Sequence, residues 1–142
     1  MNETVLLIDD SKFLRRANEL AVARAGYSVM VASDGSEGLD LARTKVPDVI
    51  VLDMMLPKLS GQELLRALKQ DSATSSIPVI VLSSLPQSNE QKLKAEGAAL
   101  YLEKSKLEIG GGSARLIQGI EAVLRAPRSP STLEGIALSR NP

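Results

Sequence analysis

Five short runs of consecutive apolar residues constrain this chain more than any other feature. They are Val5–Ile8, Val29–Ala32, Val49–Leu52, Val79–Leu82 and Ala99–Leu102. Most are rich in β-branched residues, and none alternates polar with apolar positions. A strand with one wet face needs that alternation. Unbroken runs of this length instead suit strands buried on both faces, as in a parallel sheet.

Helical patterns fill the intervals. Ser11 is placed to cap a helix with Leu14, Ala17, Ala21 and Ala25 on one face, ended by Gly26. A second runs from Ser36 to Arg43 with Leu39 and Ala42, before Pro47. Ser60 or Gly61 opens a third, with Leu64, Leu65 and Leu68. Ser88 opens a more polar fourth, with Leu93 inside it and Gly97 closing it. Ser113 starts the fifth, whose stripe is Leu116, Ile117, Ile120, Val123 and Leu124. Strand and helix thus alternate five times, which implies right-handed crossovers and a sheet covered on both faces. The expected fold is an α/β, flavodoxin-like (βα)5 doubly wound parallel five-stranded sheet of order 2-1-3-4-5. Residues 1–125 form this domain, and 126–142, with three prolines and few core-forming residues, read as a flexible tail.

Composition narrows the chemistry. The 142 residues suffice for one domain with a real core. Aromatics are only 2%, so aliphatic side chains must build it. There is no cysteine and no histidine. Disulfides, thiolate nucleophiles, Cys/His zinc sites and histidine bases are excluded. Seventeen basic residues balance seventeen acidic ones, which argues against a surface that coats nucleic acid. No apolar stretch is long enough to span a bilayer, and the N-terminus lacks the pattern of a signal peptide. A cytoplasmic location is expected.

In an open parallel sheet, functional groups gather beyond the carboxyl ends of the strands. The first strand ends in Asp9 and Asp10, the third in Asp53, the fourth in Ser83 and Ser84, and the fifth in Glu103 and Lys104. With the order 2-1-3-4-5 the three aspartates converge. Three close carboxylates repel one another unless a cation joins them. All-oxygen ligands with room for water suit Mg²⁺. Lys104 and Ser83 can hold phosphate oxygens from other sides. A carboxylate nucleophile, a metal, a hydroxyl and an ammonium together describe phosphoryl transfer to an aspartate. Each residue also has a plainer reading: helix caps for Asp9 and Asp10, a turn for Asp53, a loop for Ser83, solvent for Lys104, core for Tyr101.

The motifs LLIDD (6–10), VIVLDMMLPKLSG (49–61), VIVLSS (79–84) and YLEKS (101–105) make the chain resemble a response-regulator receiver domain of two-component signalling. The similarity spans roughly residues 3 to 125. It implies that Asp53 is the phospho-acceptor. Asp10 would be the direct Mg²⁺ ligand, Asp9 would act partly through water, and the Met55 carbonyl would complete the site. Ser83 takes the Ser/Thr switch position, Lys104 the lysine position and Tyr101 the switch-aromatic position. In such a switch Ser83 moves toward the phosphate and Tyr101 turns inward, repacking the face of the fourth helix, fifth strand and fifth helix.

Two positions depart from the family pattern. Ser105 stands where proline usually follows the lysine, and Ser84 where alanine is usual. The glycine-rich stretch after Lys104 suggests a late, mobile start to the fifth helix. The expected role is a regulatory phospho-acceptor with only self-phosphorylating and autodephosphorylating activity. The expected donor is a sensor histidine kinase or histidine phosphotransfer protein, with a downstream protein target on the repacked face. A homodimer is compatible with that face; direct nucleic-acid or membrane binding is not expected. The alternative is a degenerate receiver that binds proteins without phosphorylation. A hydrolase is disfavoured because Met55 occupies the place of its general acid. An FMN binder is disfavoured because the paired aspartates would repel the cofactor's phosphate.

Overall fold

The computed structural model describes residues 3–54, 56, 60–83, 94–103 and 112–126. The strands are β1 (Thr4–Ile8), β2 (Ser28–Ala32), β3 (Val49–Asp53), β4 (Val79–Ser83) and β5 (Leu100–Glu103). They form one parallel sheet in the order β2-β1-β3-β4-β5. The central strands β3 and β4 are buried at every position. Their runs of Val, Ile and Leu are therefore continuous, because both faces are covered. The edge strand β2 is only partly buried along most of its length, so its apolar run overstates its burial.

The helices are α1 (Lys12–Arg24), α2 (Gly35–Lys45), α3 (Gly61–Gln70) and α4 (Gly112–Arg125). Here α4 is the fifth helix of the sequence pattern. Of the expected fourth helix, the start at Ser88 and Leu93 lie outside the described residues. Its expected close holds: Gly97 has a φ of 114° and its N–H donates to the Lys94 carbonyl at 3.0 Å.

Two cores lie on opposite faces. One joins Leu6, Ile8, Ile50, Leu52, Val79 and Val81 to Ala42 of α2 and to Leu64, Leu65 and Leu68 of α3. The other joins Val5, Leu7, Val49, Val51, Ile80 and Leu82 to Val22 of α1 and to Leu116 and Ile120 of α4. The expected face of α1 needs correction. Ala17 and Ala25 are exposed, and Val22 is the residue sealed into the core. The branched side chain fills the space against α4 better than the alanines could. The helix is rotated accordingly, leaving Phe13 80% exposed.

Capping fixes how the chain enters each helix. Ser11 caps α1 by accepting from the Leu14 N–H at 3.3 Å. Asp34, ahead of the expected start at Ser36, caps α2 through the Glu37 N–H. Ser60 and Glu63 make a reciprocal capping box on α3. Helix α2 ends unexpectedly on Val46, a β-branched residue at φ 44°. Pro47 follows it, and a residue before proline is disfavoured from continuing the helix.

Candidate functional site

The β1 run stops at Ile8, and the next residue, Asp9, is tied back to the sheet by its N–H to the Ala32 carbonyl at 3.1 Å. Its Oδ1 accepts the Ser11 N–H at 2.9 Å. That bond folds the chain sharply into α1 and leaves Asp10 exposed at the bend. Asp53 is the last residue of β3 and is 1% exposed. Because β1 and β3 are neighbours with Ile8 opposite Leu52, the carboxylates beyond both strand ends meet. Oxygens of Asp9, Asp10 and Asp53 lie within 4.8 Å of one another.

The floor of the site depends on a close approach by α3. The Gly61 N–H donates to the Met54 carbonyl at 3.2 Å. A Cβ at Gly61 would fall 2.5 Å from the Met54 Cα and 2.7 Å from the Asp53 carbonyl oxygen. Only glycine lets the capped start of α3 lie against the end of β3.

Ser83 ends β4 and is fully buried. Tyr101 pairs in register with Val81, two residues before Ser83. Strand side chains alternate with a period of two, so Ser83 and Tyr101 share a face. Tyr101 is itself buried, at 4% exposure, in the core packed against α2 and α3. Met55, Ser84, Lys104, Ser105 and residues 127–142 lie outside the described residues, and so do the expectations placed on them.

Arg15 is not among the residues expected from the sequence. Its Nη1 donates to the Asp9 carbonyl at 2.8 Å from the half-buried side of α1. A signal for it exists in the sequence. The first turns of α1 carry Lys12, Arg15 and Arg16 with no acidic residue in the first turn, the wrong sign for the positive end of a helix dipole.

The donor set suits a hard cation. Three carboxylates offer only oxygen, two are buried, and one is open to water. Holding them this close costs Coulomb energy that a divalent ion would offset. The site is an acidic pocket able to take a metal.

A five-stranded 2-1-3-4-5 parallel sheet with an acidic cluster at its carboxyl edge defines a class of signalling module. The response regulator receiver domain family model matches residues 5–108, and the chain belongs to that family. Over 105 residues it is 38% identical to the alkaline phosphatase synthesis transcriptional regulatory protein PhoP of Bacillus subtilis, covering 73% of this chain and 43% of that protein. It is 34% identical over 121 residues to the protein PilH of Pseudomonas aeruginosa, covering 84% of this chain and 96% of that one. A two-component response regulator of the LuxR family from Aurantimonas superposes with a TM-score of 0.77 at 30% identity, covering 99% of each chain. The chemotaxis protein CheY4 of Vibrio cholerae gives a TM-score of 0.77 at 29% identity, over 87% of this chain and 99% of that one. The chain spans less than half the length of PhoP. Membership makes it a regulatory domain of phosphorylation signalling. Among the described residues, no helix is long and apolar enough to cross a membrane.

Proposed function

We propose that this chain is a phosphorylation switch in which Asp53 accepts a phosphoryl group from a phosphohistidine, with Mg²⁺ held by Asp9, Asp10 and Asp53. The observation that carries the reading is the buried Asp53 carboxylate with oxygens of Asp9 and Asp10 within 4.8 Å. When bound, Mg²⁺ supplies charge neutralisation for the carboxylates and for the arriving phosphoryl oxygens.

A carboxylate oxygen of Asp53 attacks phosphorus in line with the donor nitrogen. The O–P bond forms as the P–N bond breaks, and the electron pair returns to the donor imidazole. This sequence contains no histidine, so that imidazole comes from elsewhere: a sensor histidine kinase or a histidine phosphotransfer protein. Burial of Asp53 limits water at the acyl phosphate once it has formed. Lys104 and the Met55 carbonyl complete the site on the strength of the motifs that hold them. Lys104 would take a phosphoryl oxygen as a point charge.

Ser83 and Tyr101 form the readout. Their shared face supports coupling between them. On phosphorylation Ser83 would shift toward the phosphoryl group and Tyr101 would turn into the space it leaves. The responding surface comprises β5, α4 and the segment before β5, where a downstream protein or a second copy of the chain would dock.

The test is labelling with a small acyl phosphate, read by intact mass, with and without Mg²⁺. Wild type should gain one phosphoryl group only with Mg²⁺, and Asp53→Asn should gain none. Equal labelling of the two proteins would sink the assignment. A wild type that takes no label from the acyl phosphate or from any phosphohistidine donor would instead mark a module that only binds.

A further inference from the structure

We infer that Arg15 is a positioning residue for the acidic turn: through the Asp9 carbonyl it fixes the peptide that carries Asp10, and with it the aim of Asp10 at the cation. The inference rests on the metal-site reading above. Asp9 is already held at its N–H by Ala32 and at its carboxylate by Ser11. The Ser11 bond closes a turn around the Asp9–Asp10 peptide from the side-chain side. Arg15 adds the direct hold on the peptide itself, because its Nη1 donates to the Asp9 carbonyl oxygen at 2.8 Å. A peptide unit is planar, so fixing that oxygen fixes the direction in which the Asp10 Cα leaves. Asp10 is the exposed member of the three. It therefore has the least packing to hold it and the most to gain from a braced backbone.

The placement of the guanidinium has a cost. Arg15 stands near the amino end of α1, where the helix dipole disfavours a cation. It binds the neutral backbone carbonyl of a residue whose own carboxylate belongs to the acidic cluster. A residue that merely neutralised the cluster would be expected on a carboxylate oxygen. Holding the carbonyl instead places the bond on the backbone that carries Asp10. Groups that orient metal ligands in this way typically change metal affinity about 10- to 100-fold when removed.

Charge and geometry predict opposite signs, which makes the test decisive. Removing a nearby positive charge alone would tighten Mg²⁺ binding, whereas removing the brace would weaken it. Mg²⁺ is titrated calorimetrically into wild type, Arg15→Ala and Arg15→Lys at constant ionic strength. The expected result is about tenfold weaker binding in Arg15→Ala, with part of the loss recovered in Arg15→Lys, which keeps a charge and a donor. Labelling of Asp53 in Arg15→Ala should fall at limiting Mg²⁺ and return at saturating Mg²⁺. Unchanged or tighter binding in Arg15→Ala overturns the inference, as does a loss in Arg15→Lys equal to that in Arg15→Ala. If wild type takes up no Mg²⁺, the metal-site reading fails and the inference falls with it. Ser11 caps α1 independently of Arg15, and melting without Mg²⁺ checks that both variants remain folded.

Discussion

Asp53 and Gly61 show how little freedom the site leaves its residues. Asp53 is sealed at the end of β3, and the backbone of the next residue, Met54, is pinned on both sides. The Met54 N–H donates to the Leu82 carbonyl at 3.0 Å, and the Met54 carbonyl accepts the Gly61 N–H. In Gly61→Ala the new methyl would meet backbone atoms of Met54 and Asp53, which cannot rotate aside. We expect a loss of about 1–3 kcal/mol by chemical denaturation, together with slower labelling of Asp53. A variant as stable and as quickly labelled as wild type would show that the contact is soft. Val46 is the reverse case. It is 55% exposed and left-handed, so it buries little and bears steric strain. Val46→Gly should stabilise the domain by about 1 kcal/mol, read as a higher denaturation midpoint with an unchanged slope.

At the scale of elements, α3 joins the acceptor strand to the rest of the fold. Its capping box holds the start: the Glu63 N–H donates to Ser60 Oγ at 3.2 Å and the Ser60 N–H donates to Glu63 Oε1 at 3.0 Å. Ser60→Ala should cost about 1 kcal/mol. The Ser60 backbone N–H, aided by its hydroxyl, holds the Glu63 carboxyl below the usual range. A carboxyl lowered in the folded state adds stability that is complete above its unfolded value and lost as pH falls through its folded value. The stability gap between wild type and Glu63→Gln should therefore shrink on acidification through the carboxylate range; a gap independent of pH would contradict this. From its first two turns α3 also grips the chain before β5. Arg66 and Gln62 donate to the Glu96 carboxylate, at 2.7 Å and 3.1 Å for the shortest bonds. Most of this scaffold was legible in the sequence, because unbroken Val/Ile/Leu runs and Ser caps have local causes. The three aspartates were legible too, since strand ends in a parallel sheet share one edge. Less could be read where the cause is tertiary. The rotation of α1 onto Val22, the grip of α3 on Glu96 and the Arg15 brace all depend on partners distant in the chain or on side-chain reach. Val46 escaped notice because a β-branched residue at a left-handed helix cap runs against the usual preference for glycine there.

Over the whole molecule, the acidic edge and the two cores are coupled through stability. A ligand that binds only the folded state stabilises it by an amount that grows with the logarithm of its concentration relative to its dissociation constant, about 2.7 kcal/mol at a hundredfold excess. Mg²⁺ should therefore raise the melting temperature of wild type, and an equal ionic strength of NaCl should not. Asp10→Asn should remove most of the shift, and an identical shift in that variant would argue against the proposed site. The central claim is that the phosphoryl group goes to one carboxylate. It is tested most directly by trapping the acyl phosphate with borohydride after labelling and locating the reduced residue by peptide mass spectrometry. The account predicts reduction at Asp53 alone; reduction at Asp9 or Asp10, or a stable phosphate ester on Ser83, would contradict it.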